Sequence, residues 1–482
     1  MRAHALTLSL VLSSAYVSGC AVGPDYKRPI VATPTAFMGQ SSVDSRTATQ
    51  KADMALWWEG FNDPVLTKLE GLALAQNLDL AQAVGRVTQS RAALRSATAA
   101  LLPSGSVTGT AAQVHLSEET ELGRVLTATP NFDRNSPYYE VDLGASWEID
   151  LFGGLRRQRE GAAAGYQAAR ADATAARLAV AAQTADTYVT IRGLQSRIAI
   201  AKEQIDTQRQ LRDTVKLQFD KGVAARLQFS QSEGALAQVQ ASLPVLEDAL
   251  ENALNALDVL LGSQPGTYRS LVADPAPIPD APSLSTAEGP ADLLRRRPDI
   301  IAAERRLAAS NAQIGAAIAE YYPKVSLSGL IGSASTRAGS IFSNGTANQT
   351  QGAAGLQWRL FDFGRIGADV NAAKGQKAVA LAAYRLSVLR ATQDVEDAFS
   401  TLVKREGQEV ILAGGERSLA DARDSSMAAY KGGVVSLIEV LDADNRLLAT
   451  RDARAQAKTE AARAAIASFR ALGGGWNPSV KS

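Results

Sequence analysis

The sequence contains one cysteine, two histidines and four methionines in 482 residues. A single cysteine excludes any intramolecular disulfide. His4 lies in the leader described below, so His115 is the only histidine left and no Cys/His metal cluster can form. Aromatic residues make up only 6%. Charge of one sign is lacking as well: Lys plus Arg number 50 and Asp plus Glu 49, a formal +1. That balance gives no electrostatic basis for binding nucleic acid. After the leader no run of 18 apolar residues occurs, which excludes a helical membrane span. No G-x-x-x-x-G-K-[ST] loop is present, Phe363-Gly-Arg-Ile-Gly367 is not a phosphate loop, and no nucleophile–base pair stands out. There are thus no catalytic candidates and no cofactor motif, and an all-carboxylate site is the one kind of metal site left open.

What is present begins with MRAHALTLSLVLSSAYVSGC. Arg2 is a short basic n-region, and Ala5 to Val17 form an apolar stretch of about 13 residues, too short to span a bilayer. Val17-Ser18-Gly19-Cys20 looks like a bacterial lipobox. The expectation is a signal peptide over 1–19 and a mature chain starting at Cys20, carrying a covalent diacylglycerol and an N-acyl chain. Each buried CH2 of such chains contributes ~0.8 kcal/mol to anchoring. Ala21, not Asp, follows Cys20. Losing Arg2 takes the formal charge from +1 to zero.

The chain repeats itself. Asp79, Ser106 and Gly109 match Asp299, Ser326 and Gly329 at an offset of 220, counted from the prolines of LLP (101–103) and YYP (321–323). WEIDLFG (147–153) and WRLFDFG (358–364) match at 211, as do Phe219–Gly222 and Tyr430–Gly433. Five matches in one order, with one change of offset, indicate a duplication. The nine residues are missing from the second copy between Pro323 and Trp358.

Each copy reads as a helix, two strands and a long helical hairpin. The expected boundaries are an extended, acylated N-terminal segment 20–63 and a first repeat 64–262, with its strand pair in 104–149 and its hairpin in 155–262. A linker 263–287 leads to a second repeat 288–472, with strands in 324–361 and hairpin in 365–472, and a tail 473–482. The clearest strand is YYEVDLGASWEI, where Tyr139, Val141, Leu143, Ala145, Trp147 and Ile149 alternate with Glu140, Asp142, Gly144, Ser146 and Glu148. Such alternation suits a soluble sheet with one wet face or a barrel strand with lipid outside and water inside. The fourth strand is expected over 352–361, where Leu356, Trp358 and Leu360 alternate with polar residues and Phe361. The long helices, 155–219 and 365–430, lack proline; about 65 residues at 1.5 Å each span ~100 Å. Leu236, Val239, Leu243, Leu246, Leu250, Ala253, Leu257 and Leu260 keep a 3-4 spacing for knobs-into-holes packing. Pro244 is expected to kink or loosen that return helix. The second return helix has the looser set Val434, Ile438, Leu441, Asn445, Leu448, Ile466 and Phe469.

Four strands cannot close a membrane barrel, which needs at least eight. Several copies of the chain are therefore required, and the strand count alone does not choose between two and three. From the residues alone, an envelope conduit and a non-conducting, periplasm-spanning structural lipoprotein both stand.

Several motifs carry a resemblance: GCAVGPDYKRP (19–29), WWEGFNDPVL (57–66), WEIDLFG (147–153), LLRRRPDI (293–300), the segment 303–329, YKGG (430–433) and EVLDA (439–443). Over nearly all the mature chain they are similar to the outer-membrane factor family of tripartite efflux systems, lipoprotein branch. The resemblance implies a mixed α+β membrane protein. It implies a homotrimer with one 12-stranded β-barrel, four strands per chain, continued by a long periplasmic α-helical coiled-coil barrel. It further implies passive efflux through the outer membrane of a Gram-negative bacterium, with a periplasmic adaptor (membrane fusion) protein and an inner-membrane RND-type pump as partners.

The same resemblance places a periplasmic gate at the second hairpin. Glu439 and Asp442, three apart on one helix face, fall on acidic positions that look into the opening; three copies give six carboxylates. Their first-repeat equivalents, Gln228 and Gln231, are uncharged. Gly222, Gly432 and Gly433 shape the hairpin tips, where the adaptor is expected to meet the channel. Some relatives carry a locking arginine where this chain has Val435, so Lys431 and Arg423 are the candidate counter-charges.

Overall fold

The computed structural model describes residues 21–32, 34–46, 52–130, 132–284, 289–341 and 345–477. The expected signal peptide and the candidate lipidation site Cys20 lie outside the described residues. Two units divide the chain: 1–29, 88–167 and 304–382 form the first, and 30–87, 168–303 and 383–482 the second.

The helices reflect the duplication element by element. A short α1 (Gln40–Asp44) precedes α2 (Pro64–Gln76) and α3 (Leu78–Ala99). The long α5 (Gly154–Asp220) and its return α6 (Arg226–Leu260) follow the first strands; a small α4 (Glu121–Thr127) lies between those strands. After α7 (Arg269–Val272), the second copy has α8 (Pro290–Arg296), α9 (Pro298–Ala319), α10 (Arg365–Lys431) and α11 (Leu437–Ala471). Both long helices have 67 residues and both return helices 35.

The single helix expected ahead of the first strand pair is two. Asn77 is the reason: its Oδ1 accepts from the amides of Asp79 (2.8 Å) and Leu80 (3.1 Å), capping α3, while its Nδ2 donates to the Leu260 carbonyl at 2.9 Å. The second copy breaks correspondingly at Arg297, before Pro298. Pro244 does not interrupt α6, which runs unbroken through it.

In the second unit, Trp57 stacks on Phe469 with centroids 5.5 Å apart and meets Trp58 and Phe61 edge-on. The WWEGF turn is a 3-10 helix that ends at Asn62 with φ 51°. Asp63 then caps α2, accepting from the amides of Val65 (2.9 Å) and Leu66 (3.1 Å), with Pro64 in the first turn. Tyr188 donates to the other Asp63 oxygen at 2.5 Å and accepts from Arg192 at 2.9 Å. Helices α5 and α11 are joined laterally by Arg197–Asp452 (2.7 Å) and Arg463–Asp186 (2.7 Å). Between these pairs Gly193 lies so close to Thr459 that a Cβ would come within 2.3 Å of its hydroxyl.

The 3-4 row of α6 is buried or half-buried throughout, as knobs should be. The looser row on the second return helix is corrected: Val434 and Ile438 are exposed. Val434 lies in the turn before α11, whose inward face is Leu437, Val440, Leu441, Asp444 and Leu447.

In the first unit the strands are β1 (Ser104–His115), β2 (Asn135–Ile149), β3 (Lys324–Ser335) and β4 (Asn348–Gln357), an antiparallel sheet in chain order. The fourth strand therefore starts at Asn348 and stops before Trp358. Trp358 instead donates from its indole to the Tyr321 carbonyl at 3.0 Å, as Trp147 does to Leu101 at 3.0 Å. Both tryptophans thus tie a strand end to the turn that follows a helix, α3 in the first copy and α9 in the second. The offset of 220 persists to the ends of β1 and β3, so the shortened part of the second copy lies beyond Ser335. The segment Ala21–Pro29 is strapped onto α5 and α9. The Arg157 side chain, 5% exposed, donates to the carbonyls of Val22 (3.1 Å) and Gly23 (3.2 Å) and to Asp25 (2.8 Å). Asn311 donates to Pro24 at 2.8 Å, and Tyr26 bonds Glu304.

Glu70 is the exception in the packing of α2. It is fully buried between core residues Leu69 and Ala73, and neither carboxyl oxygen has a partner of normal hydrogen-bond geometry. Burial raises its carboxyl well above the ordinary 4.5, with the Arg177 charge and the Ala185 amide opposing. The folded chain retains a proton that the unfolded chain loses, so stability falls as pH rises from about 4.5 through the folded value. Glu70→Gln should therefore melt with the wild type at pH 4 and above it at pH 8. Thermal unfolding at the two values checks this, and parallel curves would refute it.

Candidate functional site

The sheet has two unlike faces. The register places Val107, Leu143 and Ile331 in one transverse row, and Trp147 beside Leu327 in another. These residues and Leu356 share a face, and all six are exposed, Val107 at 71% and Leu356 at 68%. The opposite face carries Thr108, Asp142, Gly332 and Gln349 in one row and Ser106, Gly144, Leu330 and Gln351 in another. Gln349 donates to Glu140 (2.8 Å) and Asp142 (2.7 Å) there. An apolar face open to solvent, backed by a hydrogen-bonding face, is stable where lipid covers the first and water the second. Of the described helices, none is long and apolar enough to cross a membrane. The sheet edges are β1 and β4, and their outward ladders need partners from other chains.

The helix tips are the second region. Gly222 and Gly433 each take φ +73°, and their amides donate to Phe219 and Tyr430, both at 2.9 Å. Val223 and Val434 then bond back to Gln218 (2.8 Å) and Ala429 (2.9 Å). The two turns are thus the same Schellman-type closure. Tyr430 also donates to Gln218 at 3.0 Å, linking the tips of α5 and α10.

The chain matches the family described as outer membrane efflux protein over residues 69–263 and 289–474, one segment in each repeat. The chain belongs to this family. It is 32% identical to Nodulation protein T of Rhizobium leguminosarum bv. trifolii, covering 97% of each chain. It is 32% identical to the pyoverdine export outer membrane protein OpmQ of Pseudomonas putida, over 92% of this chain and 91% of that one. Among solved structures, the outer-membrane channel OprN matches with TM-score 0.86 and 33% identity, over 95% of this chain and 100% of that one. As in those structures, the fold is that of a trimer with one 12-stranded barrel and a long periplasmic coiled-coil. The protein is an outer-membrane exit channel of a tripartite efflux pump and not an enzyme.

Within this frame the expected site residues occupy different settings. Glu439 and Asp442 are both exposed on the first turns of α11. Asp442 is paired with Arg446 at 2.9 Å. Lys431 is exposed at the end of α10, and Arg423 lies 3.1 Å from Asp424. Of the two second-repeat glycines only Gly433 has positive φ; a Cβ on Gly432 would meet nothing closer than 3.5 Å. Among the described residues no group of His, Cys, Asp or Glu is placed to hold a metal. Sequence reasoning passed over Asp444, which is buried on the inward face of α11. Its signal was a charged residue in the core spacing set by Leu437, Val440 and Leu447.

The two glycines should therefore behave differently. Gly433→Val forces a branched side chain into left-handed backbone, at a cost of ~1–2 kcal/mol or more, and should lower drug resistance in a strain that depends on this channel. Gly432→Ala should leave resistance unchanged. Equal effects of the two substitutions would contradict the assignment.

Proposed function

We propose that this channel is a lipid-anchored exit duct for an RND-type pump, with its periplasmic constriction formed by the second hairpin. The observation that carries the gate is an asymmetry between otherwise matching tips. In the first tip, Gln228 turns back and accepts from the Ala225 amide at 3.0 Å, so its side chain closes its own helix. At the matching place Glu439 is exposed, and Asp442 beside it is exposed as well. A threefold arrangement turns them into six carboxylates around one axis, a field that attracts cations. Arg446 is the counter-charge of Asp442 within a protomer; Lys431 and Arg423 are the further candidates, from the other side of the turn. The outer surface of the tips, shaped by Gly222 and Gly433, is the surface offered to the adaptor. The polar inner face of the sheet suits passage of small solutes, as the name of the pyoverdine-export relative implies for that protein.

Support for the anchor comes from the start of the described chain. Ala21 lies against Gly153, just past β2, and the Val22 amide donates to Phe152 at 3.0 Å. Acyl chains on the preceding residue would enter lipid beside the strand that ends at Ile149.

Two measurements test these readings. In bilayers with unequal salt, Glu439→Gln with Asp442→Asn should move the reversal potential toward zero selectivity; an unchanged potential removes the gate from these residues. Palmitate fed to cells should label the wild type and not Cys20→Ser, and label on the variant would exclude Cys20 as the anchor.

A further inference from the structure

Helix α11 packs onto α5 near the tips through layers of unlike chemistry. Next to the glycine turns the layer is apolar: Leu211 and Val215 meet Leu437, Val440 and Leu441. Further along, Ile205 packs with Leu236 and Val239 of α6, with Leu448 against them. Between these apolar contacts stand Gln204 and Gln208 of α5 and Asp444 of α11, exposed by 6%, 0% and 1%.

This polar layer is incompletely bonded. Gln208 Nε2 donates to Asp444 Oδ2 at 2.9 Å. Asp444 Oδ1, Gln208 Oε1 and Gln204 Nε2 are buried with no hydrogen-bond partner. The burial is complete within one protomer, so assembly with further copies cannot relieve it. Buried polar atoms without partners weaken an interface relative to apolar packing and regain hydrogen bonds when water enters. The charged groups acting on Asp444 are Arg423 and Asp424 of α10 and Arg451 of α11, and the Gln204 amide faces it from α5 without a bond of good geometry. Burial raises its carboxyl, and Arg423 and Arg451 oppose that.

The layer occurs once, between α5 of the first hairpin and α11 of the second. At the repeat offset of 211, Asp444 corresponds to Glu233, which is exposed on α6, and Gln204 and Gln208 correspond to Gly415 and Leu419. The hairpin with the buried acid is also the one with Glu439 and Asp442 on its exposed face, within two turns of Asp444.

We infer that Asp444 is a positioning residue for the tip: the Gln204–Gln208–Asp444 layer is where the N-terminal end of α11 parts from α5. Separating the apolar layers exposes hydrocarbon to water, whereas separating this layer lets water bond its poorly paired amides and solvate a carboxylate. Ionised Asp444 favours the parted state and neutral Asp444 the packed one. The consequence for conduction rests on the gate reading above; the packing equilibrium itself does not.

The test uses the intact trimer, with hydrogen exchange over residues 434–447 and bilayer conductance measured in parallel from pH 4, near the ordinary carboxylate value, upward. After correction for intrinsic exchange, the wild type should exchange faster and conduct more as pH rises. Asp444→Asn keeps the shape and should remove the pH profile of exchange. Asp444→Leu should slow exchange on the order of tenfold and lower conductance. An unaltered pH profile of exchange in Asp444→Asn, or wild-type exchange in Asp444→Leu, overturns the inference. Exchange that responds as expected while conductance stays constant in every variant upholds the layer and overturns the gate reading.

Discussion

A strand edge facing hydrocarbon has no water to hydrogen-bond its N–H and C=O groups, and each group left bare costs several kcal/mol. The sheet of this protein ends on two such edges, β1 and β4. Its exposed apolar face places it in lipid, so the edges have to be closed by other copies of the chain. The strands alternate in direction, so β4 of one copy meets β1 of the next in the antiparallel sense that the rest of the sheet already uses. Closure makes a wall with lipid outside and the Ser, Thr, Gln and carboxylate face inside. The conduit is thus a consequence of backbone hydrogen bonding combined with two-residue periodicity, and no reactive group is needed anywhere along it.

The helical part obeys a different constraint. A 67-residue helix has too many exposed flanks to stand alone and must find lateral partners. The 3-4 rows, the ion pairs between α5 and α11 and the close contact of Gly193 with Thr459 supply them. Duplication supplies the equal lengths, since helices of 67 and 35 residues occur in both copies. The insertions and losses are confined to the connections after β1 and β3, where added residues do not disturb a register.

Function then resides in the small departures from that internal symmetry. One tip uses its glutamine as a cap, and the other leaves a glutamate exposed. One return helix leaves its acid, Glu233, in solvent where the other buries Asp444. Equal backbones with unequal side chains allow one hairpin to be fixed and the other to be labile, and the difference is a matter of solvation more than of shape.

The amino-acid order by itself determined the duplication, the long helices, the alternation of β2, the shared tip turns and the need for more than one chain. Each rests on local periodicity or on glycine stereochemistry, which neighbours in sequence decide. Some features were not legible. The break at Asn77 depends on its bond to the Leu260 carbonyl, 183 residues away. The end of β4 before Trp358 depends on an indole that bonds a helix terminus. The inward face of α11 is not legible either, because Val434 and Ile438 share the apolar character of the residues that are buried. Only the tertiary structure decided these, and only it set Glu439 in solvent and Asp444 in the interior, five residues apart in one helix. Which side of a helix is covered is fixed by what packs against it, and a residue's solvation, not its type, decides what its charge can do.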